Sequence, residues 1–467
     1  MSFLFYDLET FGINPQWHRI AQFAAIRTDD DLNDTGETHD LLIRPATDRL
    51  PSPMACAITR TSPWQHWEHG LPEAEAALHI ADAMAVANTC SLGHNTYGFD
   101  DGMVRNLLYR NFLPIYDREW RNGNTRFDTI NALRAAYALR PDGIEWPSNA
   151  DGNVHFRLEA LAEANDVRVG DAHEALSDVR ATIGMARLLR KSQPRLWDYL
   201  LTLRNKHKVR ELLSGEPPEI LVGIQGQFGL RSFSAAPLLP LFADQSDANK
   251  YYVLNLHEDP AELMAWIQAP KDLPWPRMLR RLSINEAPPL FPLRQTRDDE
   301  LQRLGWDRAA ISASAAQLSA DLDPNALFMA LRAVRRGFDP IDDVDGAIFA
   351  GFFTPPAEAF RSKVRRTPPD QLGTLPDSSE LDPRLPTLLF RFRARNYPDT
   401  LSASEREQWL AHCRKNLLDP ESPVGHAKFV QELTEARTQF ADDAEVQRVL
   451  DETERFAEML LELVSGV

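Results

Sequence analysis

The sequence contains few cysteines and no long apolar run. Its three cysteines, Cys56, Cys90 and Cys413, lie far apart in a chain of 467 residues, so neither a disulfide framework nor a zinc-binding spacing fits them. No stretch approaches the roughly 20 consecutive apolar residues that a membrane-spanning helix needs. The first residues include no basic segment, and Asp7 and Glu9 interrupt their apolar run, so we expect no signal peptide. These absences favour a reduced, cytoplasmic protein.

Positive charge is also scarce. With 51 Lys and Arg against 68 Asp and Glu, the formal net charge is −17, which argues against a protein that coats DNA through charge alone. The charges are segregated, however, because residues 187–210 contain eight Lys and Arg but one acid, Asp198, whereas the C-terminal residues are strongly acidic. The basic run is either a solvated helix face or a local surface for nucleic acid, so a nucleic-acid enzyme is not excluded.

The periodicity of residues 1–190 predicts a mixed sheet flanked by helices. Strand character is found at 3–8, 19–27, 39–43 and 90–92, with the second segment a hairpin partner of the first. Helical spacing is found at 101–111, 129–139, 158–164 and 177–190. Asp128 is suited to cap the helix that follows it.

The pattern changes beyond these residues. The composition, 43% hydrophobic and 25% charged, is that of an ordinary globular protein, and the length suggests about three domains. Short β-type runs at 222–228, 251–256 and 280–284 predict a small β-rich domain with helical insertions. Helical spacing at 405–417 and 432–464 predicts a helical C-terminal region, in which the proline-rich segment 367–386 loops out between helices. Residue types alone identify no chemistry in these two regions.

Asp7 and Glu9 lie at the end of the first predicted strand. Side chains alternate between the two faces of a strand, so the two carboxylates point the same way. Burying them without partners would cost several kcal/mol, and a hard divalent cation such as Mg²⁺, which prefers oxygen ligands, removes that cost. The alternative is a strand that runs out into solvent.

Further acids follow in order along the chain. Asp100 and Asp101 come after a short strand and a Gly/Asn-rich turn, where an acid is either a helix N-cap or a functional group, and the two compete for such a role. Asp178 falls on a predicted helix, and His173 lies five residues earlier. On one continuous helix the two would lie about 140° apart, so His173 is better placed on the loop before it, where a histidine suits proton transfer or is simply part of the surface.

The order D-x-E, F-D and H-x4-D resembles the DEDDh exonucleases, the superfamily that includes the proofreading exonucleases of replicative polymerases. Within it, the sequence is similar to the bacterial exonuclease I family. That closer likeness extends from the N-terminus to about residue 410 and rests on the strings FLFYDLETFG, QFAAIRTD, FDDGMVRNLLYRNF, ALRPDGIEWP, FRLEAL, QPRLWDYLLTLRNKHK, AGFF and LLFRFRARNYPDTL.

The resemblance implies a two-metal site with a general base. Its acidic residues would be Asp7, Glu9, Asp100 and Asp178, binding two Mg²⁺ ions for which Mn²⁺ can substitute. Asp100 is preferred to Asp101 because the acid of the family directly follows the Phe. His173 would be the general base, and Glu9 and Arg157 would contact the terminal nucleotide.

Further DNA contacts are expected in the same part of the chain. Arg105, Arg134 and Arg140 stand at helix positions from which they could follow a phosphate backbone. Tyr116 and Trp120 are aromatic residues on which bases could stack. For all five, helix solvation or core packing is the alternative.

The resemblance implies an α/β multi-domain architecture. A ribonuclease H-like DEDDh exonuclease domain would span residues 1–190, an SH3-like β-barrel domain 194–345 and an α-helical C-terminal domain 346–467. The expected activity is 3′→5′ degradation of single-stranded DNA to nucleoside 5′-monophosphates, in DNA repair and recombination. The alternatives are a DEDDh RNase that trims RNA 3′ ends, which the 2′-OH would distinguish, and a non-catalytic DNA-repair scaffold.

The resemblance also implies partners. Family members dock the acidic C-terminal tail of single-stranded DNA-binding protein, and residues 195–210 together with Arg140 are the candidate acceptor here. We expect a monomer in the bacterial cytoplasm, associated with the nucleoid when bound to DNA, with no membrane partner.

Overall fold

The computed structural model describes residues 1–150, 152–167, 175–334 and 343–465. A mixed five-stranded sheet occupies the N-terminal part, with strand order β3-β2-β1-β4-β5. Its strands are β1 (Ser2–Thr10), β2 (Ile20–Thr28), β3 (Asp34–Leu42), β4 (Thr89–Gly93) and β5 (Thr125–Asp128). β1 pairs with β2 antiparallel and with β4 parallel, so the predicted hairpin and the mixed sheet are confirmed.

Helices cover both faces of this sheet. They are α1 (Pro53–Thr59), α2 (Pro63–His69), α3 (Glu73–Ala85), α4 (Asp100–Arg110), α5 (Thr129–Leu139), α6 (Leu158–Ala164), α7 (Ala175–Ser192), α8 (Pro194–Thr202) and α9 (Lys206–Leu213). Successive side chains of β1 point to opposite faces of the sheet, so the strand contributes to two separate hydrophobic cores. Phe3 and Phe5 pack in a core with residues of α5 and α7, whereas Leu4, Tyr6 and Leu8 pack with residues of α3 and α4.

A second five-stranded sheet follows, antiparallel throughout, with strand order β10-β6-β7-β8-β9. Its strands are β6 (Leu221–Ile224), β7 (Ala235–Ala243), β8 (Lys250–Asn255), β9 (Leu279–Ser283) and β10 (Leu290–Pro292). The three predicted β-type runs correspond to β6, β8 and β9. The first run is shorter than predicted, because the chain turns in a short 3₁₀ segment from Gly226 to Phe228.

The remaining helices belong to this β-rich domain and to the helical C-terminal region. They are α10 (Pro260–Gln268), α11 (Asp298–Leu304), α12 (Arg308–Asp321), α13 (Pro324–Val334), α14 (Pro355–Arg366), α15 (Leu385–Asn396), α16 (Ala403–Leu418), α17 (His426–Gln439) and α18 (Ala444–Ser465). The helical character predicted for residues 432–464 is confirmed, and it is divided between α17 and α18. α17 ends at Gln439. Asp443 then accepts hydrogen bonds from the backbone N–H groups of Glu445 and Val446 and so caps the start of α18.

The C-terminal helices pack directly on the N-terminal part. Leu50 and Ala57 share a core with Phe429, Leu450 and Phe456. The mixed sheet, the antiparallel sheet and the helical region confirm the expected α/β multi-domain architecture. Within the described ranges, no helix is long and apolar enough to span a membrane, and all three cysteines are buried, unpaired thiols.

Candidate active site

Three carboxylates converge at the end of β1. Asp7 and Glu9 lie on the side of the strand that carries Phe3 and Phe5, the side covered by α7, whose first turn contains Asp178. One carboxylate oxygen from each of the three acids lies within 4.8 Å of the others. Residues separated by about 170 positions in sequence therefore share one site, as the resemblance implied.

Asp100 borders the same site. It is the first residue of α4 and is only 7% exposed. Burial, followed by the charge of Asp7, raises its pKa well above the ordinary value. The pKa of Glu9 is also raised, first by burial and then by Asp7 and Asp178. Mutual repulsion thus links all four acids that the sequence analysis singled out.

The four acids fit a divalent cation. Burial and the charge of Asp178 raise the pKa of Asp7 from 3.8 to about 8, which means that the site opposes its own ionisation. The donor set consists of oxygen atoms alone, the ligands that Mg²⁺ and similar hard cations prefer. A bound cation would reverse the repulsion that raises these pKa values.

The neighbouring Asp101 has a different environment. Its carboxylate accepts hydrogen bonds from the Tyr6 hydroxyl at 2.8 Å and from Arg118 Nη2 at 2.5 Å, and it forms a third with Arg126. Buried against two guanidinium groups, it keeps its pKa well below the ordinary range. Asp101 is therefore committed to an internal ion-pair network. Nothing in the sequence spacing indicated its partners, because they come from three separate elements.

Asp128 fixes the turn that precedes Asp100. It caps α5 through the backbone N–H of Ile130, as predicted, and it also accepts hydrogen bonds from the backbone N–H groups of Asn95 and Tyr97. Burial raises its pKa to about 6. Two backbone donors, those of Asn95 and Tyr97, thus tie the Gly/Asn-rich turn to Asp128, and that turn precedes the N-terminus of α4.

The two remaining site candidates, Arg157 and His173, are not among the clustered acids. Arg157 is exposed and precedes α6, while the adjacent Phe156 is buried and its carbonyl lies 2.7 Å from Nε2 of His94. Burial lowers the pKa of His94 to about 4, so this histidine is neutral and structural. His173 lies outside the described residues.

The five candidate DNA contacts do not share one environment. Arg105 donates to Glu119 at 2.8 Å, Arg140 pairs with Glu300, and Arg134 lies over the ring of Phe156. The ring of Tyr116 contacts the edge of Phe352, which is 88% exposed, and Trp120 is 65% exposed. The two arginines in ion pairs are already held by protein carboxylates, Tyr116 is half-buried beneath Arg105, and Trp120 is open to solvent.

Comparison with known families matches almost the entire chain. Residues 4–186 match the exonuclease family, residues 204–331 the exonuclease I SH3-like domain, and residues 342–460 the exonuclease I C-terminal domain. Exodeoxyribonuclease I of Escherichia coli K12 is 37% identical over 98% of both chains. Exodeoxyribonuclease I of Haemophilus influenzae is 33% identical over 98% of this chain and 99% of its own.

Solved structures agree with the sequence comparisons. E. coli exonuclease I in complex with a dA16 oligonucleotide superposes with a TM-score of 0.89 at 36% identity, covering 98% of this chain and 99% of that one. A zinc-bound form of the E. coli exonuclease I complex with single-stranded DNA has a TM-score of 0.89, and a complex described as single-stranded DNA-binding protein (SSB)/exonuclease I with an inhibitor has 0.88, both at 36% identity and the same coverage.

Proposed function

Because the chain belongs to the exonuclease I family, we propose that it hydrolyses single-stranded DNA from the 3′ end by a two-metal-ion mechanism. The products are nucleoside 5′-monophosphates, and the process served is DNA repair and recombination. The convergence of Asp7, Glu9 and Asp178 carries the proposal, since carboxylates this close repel one another and a divalent cation would offset that repulsion.

Each acid has a role in holding the metal ions. Asp7, Glu9, Asp100 and Asp178 would bind two Mg²⁺ ions, with Mn²⁺ as a substitute. Bound there, the ions would stabilise charge on the attacking and leaving oxygens of an in-line displacement. Glu9 would also contact the terminal nucleotide, as the family resemblance implies.

Two residues act on the substrate instead of the metal. His173 would accept the proton of the attacking water, a task that suits a histidine near neutral pH. Arg157 would pair with a phosphate through two parallel N–H donors; its exposure at the start of α6 leaves the guanidinium accessible to DNA.

The five outer contacts would guide the strand. Trp120 and Tyr116 offer ring faces for bases. Arg105, Arg134 and Arg140 would contact phosphates, and for Arg105 and Arg140 this requires exchange of a carboxylate partner for a phosphate.

A partner site is proposed on the basic helices that follow α7. α8 and α9 bury Trp197 and Val209 but expose Arg195, Lys206 and Lys208. Together with Arg140, this surface would accept the acidic C-terminal tail of SSB. We expect a cytoplasmic monomer that associates with the nucleoid when it binds DNA.

The test uses three 5′-end-labelled substrates: a single-stranded DNA, an RNA of the same sequence and a blunt duplex. Each is incubated with Mg²⁺ or with EDTA, and Asp7→Asn serves as the matched control protein. We expect a Mg²⁺-dependent ladder that shortens from the 3′ end, on single-stranded DNA only, and no ladder with the variant.

Other outcomes would change the assignment. Digestion of the RNA instead of the DNA would identify an RNA-trimming enzyme with the same site. Binding of DNA with no digestion in Mg²⁺ would make the chain a scaffold and contradict the proposal.

A further inference from the structure

Four arginines meet inside the contact between the N-terminal part and the helical C-terminal region. Arg19 stands before β2, Arg49 lies in the loop after β3, Arg110 ends α4, and Arg395 belongs to α15. Exposed fractions of Arg19, Arg49 and Arg110 are 2%, 4% and 2%. A guanidinium group keeps its proton in proteins, so this contact encloses four positive charges.

Three buried carboxylates face these arginines. Asp345 accepts from Arg49 Nη2 at 2.9 Å, and Asp48 accepts from Arg395 Nη2 at 2.7 Å. Glu73 lies 3.1 Å from Arg19 Nε. Among the residues that the structure describes, four guanidinium groups against three carboxylates leave one positive charge without a counter-charge.

The surrounding groups do not remove this excess. Arg391 also lies near Asp345, but its charge is balanced by a second carboxylate, Asp343, at 2.6 Å. His412 lies beside Asp48 at 3.2 Å and could only add positive charge. The pKa of His18 is lowered to about 4, first by burial and then by Arg49 and Arg19, so it stays neutral and itself reports a positive potential.

Several guanidinium nitrogens of these arginines also lack hydrogen-bond acceptors. All three guanidinium nitrogens of Arg110 are buried without a hydrogen-bond acceptor among the described residues. The same holds for Nη2 of Arg19 and for Nε of Arg49, while Nε of Arg19 contacts Glu73 as an ion pair without hydrogen-bond geometry. Arg110 and Arg19 both approach Glu73, at 3.5 Å and 3.1 Å, so their unsatisfied donors are neighbours.

Unsatisfied donors and excess charge together favour a bound anion. Each buried donor without an acceptor costs about 1–3 kcal/mol, and more when it is charged. Water molecules could accept these hydrogen bonds but would leave the charge uncompensated, and an uncompensated buried charge is strongly destabilising. A monovalent anion supplies both the acceptors and the missing charge.

We propose that a small inorganic anion, chloride in the cell, binds between Arg110 and Arg19 at this contact. The excess of one positive charge sets the valence, and the near-complete burial of both arginines sets the small size. The anion would complete the charge balance where α4 and α15 meet, and so stabilise the packing of the helical region on the N-terminal part.

Thermal unfolding tests the proposal with the full-length protein. Chloride and gluconate salts are compared at matched ionic strength. Because a ligand of the folded state stabilises it by mass action, we expect Tm to rise on the order of 1–3 °C per tenfold chloride at concentrations above its Kd. Arg110→Gln should remove this dependence.

Arg60→Gln is the matched control. Arg60 pairs with Asp443 at 2.7 Å across the same two parts of the chain, but at an exposed position. This variant should keep the full chloride dependence. Equal dependence in wild type and Arg110→Gln, or none in wild type, would overturn the proposal.

Crystallography of the wild-type protein provides a test that does not rely on a variant folding. Crystals grown in bromide should give an anomalous difference peak within hydrogen-bonding distance of Arg110 and Arg19. Bromide peaks elsewhere on the protein with water alone at this position would refute the site.

Discussion

At the scale of single residues, the main feature is the ionisation of Asp7. Its carboxylate shares a buried strand end with Glu9 and faces Asp178, which raises its pKa to about 8. The protein without metal therefore holds a proton where a metal ion would bind. Folding without metal favours the protonated form of Asp7, whereas metal binding requires its ionised form.

A pH dependence of stability follows for the metal-free protein. Between the ordinary pKa of 3.8 and about 8, the folded state binds a proton on Asp7 that the unfolded state has released, so Asp7 makes the free energy of unfolding fall as pH rises. Glu9 and Asp100, whose pKa values are also raised, act in the same direction. His18 and His94, whose pKa values are lowered to about 4, act in the opposite direction below about pH 6.5.

Thermal unfolding in EDTA across this window measures the slope. Asp7→Asn should make the slope shallower between about pH 7 and 8, where the histidines no longer contribute, and the same slope in both proteins would contradict the assignment. The pKa of Asp48 is lowered by its arginine neighbours, so its contribution to stability increases with pH. That contribution changes only below about pH 4.

The proposed general base, His173, and the proposed metal ligand Asp7 should respond differently to removal. His173→Ala should lower turnover by about 10²–10⁴-fold, the usual contribution of general acid–base catalysis, while DNA affinity in EDTA stays near that of wild type. Asp7→Ala should abolish metal-dependent cleavage altogether. His79→Ala, at an exposed position of α3, is the control. Equal and mild losses in the first two variants would refute these roles.

At the scale of elements, the start of α4 combines two adjacent acids with opposite environments. Asp100 borders the acids of the proposed metal site, whereas Asp101 is held by Tyr6, Arg118 and Arg126. Arg126 also donates to the carbonyl of Asn285 in the second domain at 3.1 Å. The network thus attaches the end of the helix that carries Asp100 to β1, to β5 and to the neighbouring domain.

Asp101→Asn should therefore weaken metal binding without removing a ligand. Loss of such a supporting group typically lowers metal affinity about 10–100-fold, measured here by Mg²⁺ titration calorimetry without DNA. Asp345→Asn is the matched control, because Asp345 is also buried against arginines but lies in the other cluster. Both variants should lose stability of about 3–5 kcal/mol. Unchanged Mg²⁺ affinity in Asp101→Asn would show that its network serves stability alone.

At the scale of the whole molecule, the segregation of charge creates a basic surface on an acidic protein. α8 and α9 expose Arg195, Lys206 and Lys208, although the net charge is −17. Electrostatic recognition depends on such local surfaces more than on the sum.

Charge reversal at Arg140 and Lys206 should weaken binding of the acidic SSB tail peptide. The loss should be largest at low ionic strength, because salt screens exposed charges. Fluorescence anisotropy of a labelled tail peptide measures the affinity, and Lys428→Glu, an exposed lysine of α17, is the control. An unchanged affinity in the double variant would remove this surface from consideration.

The sequence by itself determined the local elements and the types of chemistry. The helices at 129–139 and 158–164 were predicted with the bounds that the structure has, because their apolar spacing and the Asp128 cap are encoded within a few residues. Asp7 and Glu9 were placed on one face by strand alternation alone. Family resemblance, and not spacing, supplied Asp178, His173 and Arg157.

Tertiary structure alone decided which distant groups meet. β5 was missed because it has four residues, and β7 because it contains Pro237 and Pro240, which normally argue against a central strand; a register shift after Pro240 accommodates the second. The division of labour between Asp100 and Asp101, and the meeting of Arg19 with Arg110, depend on packing between elements remote in sequence. Local periodicity records only which side of an element is apolar, so it carries no information about these contacts.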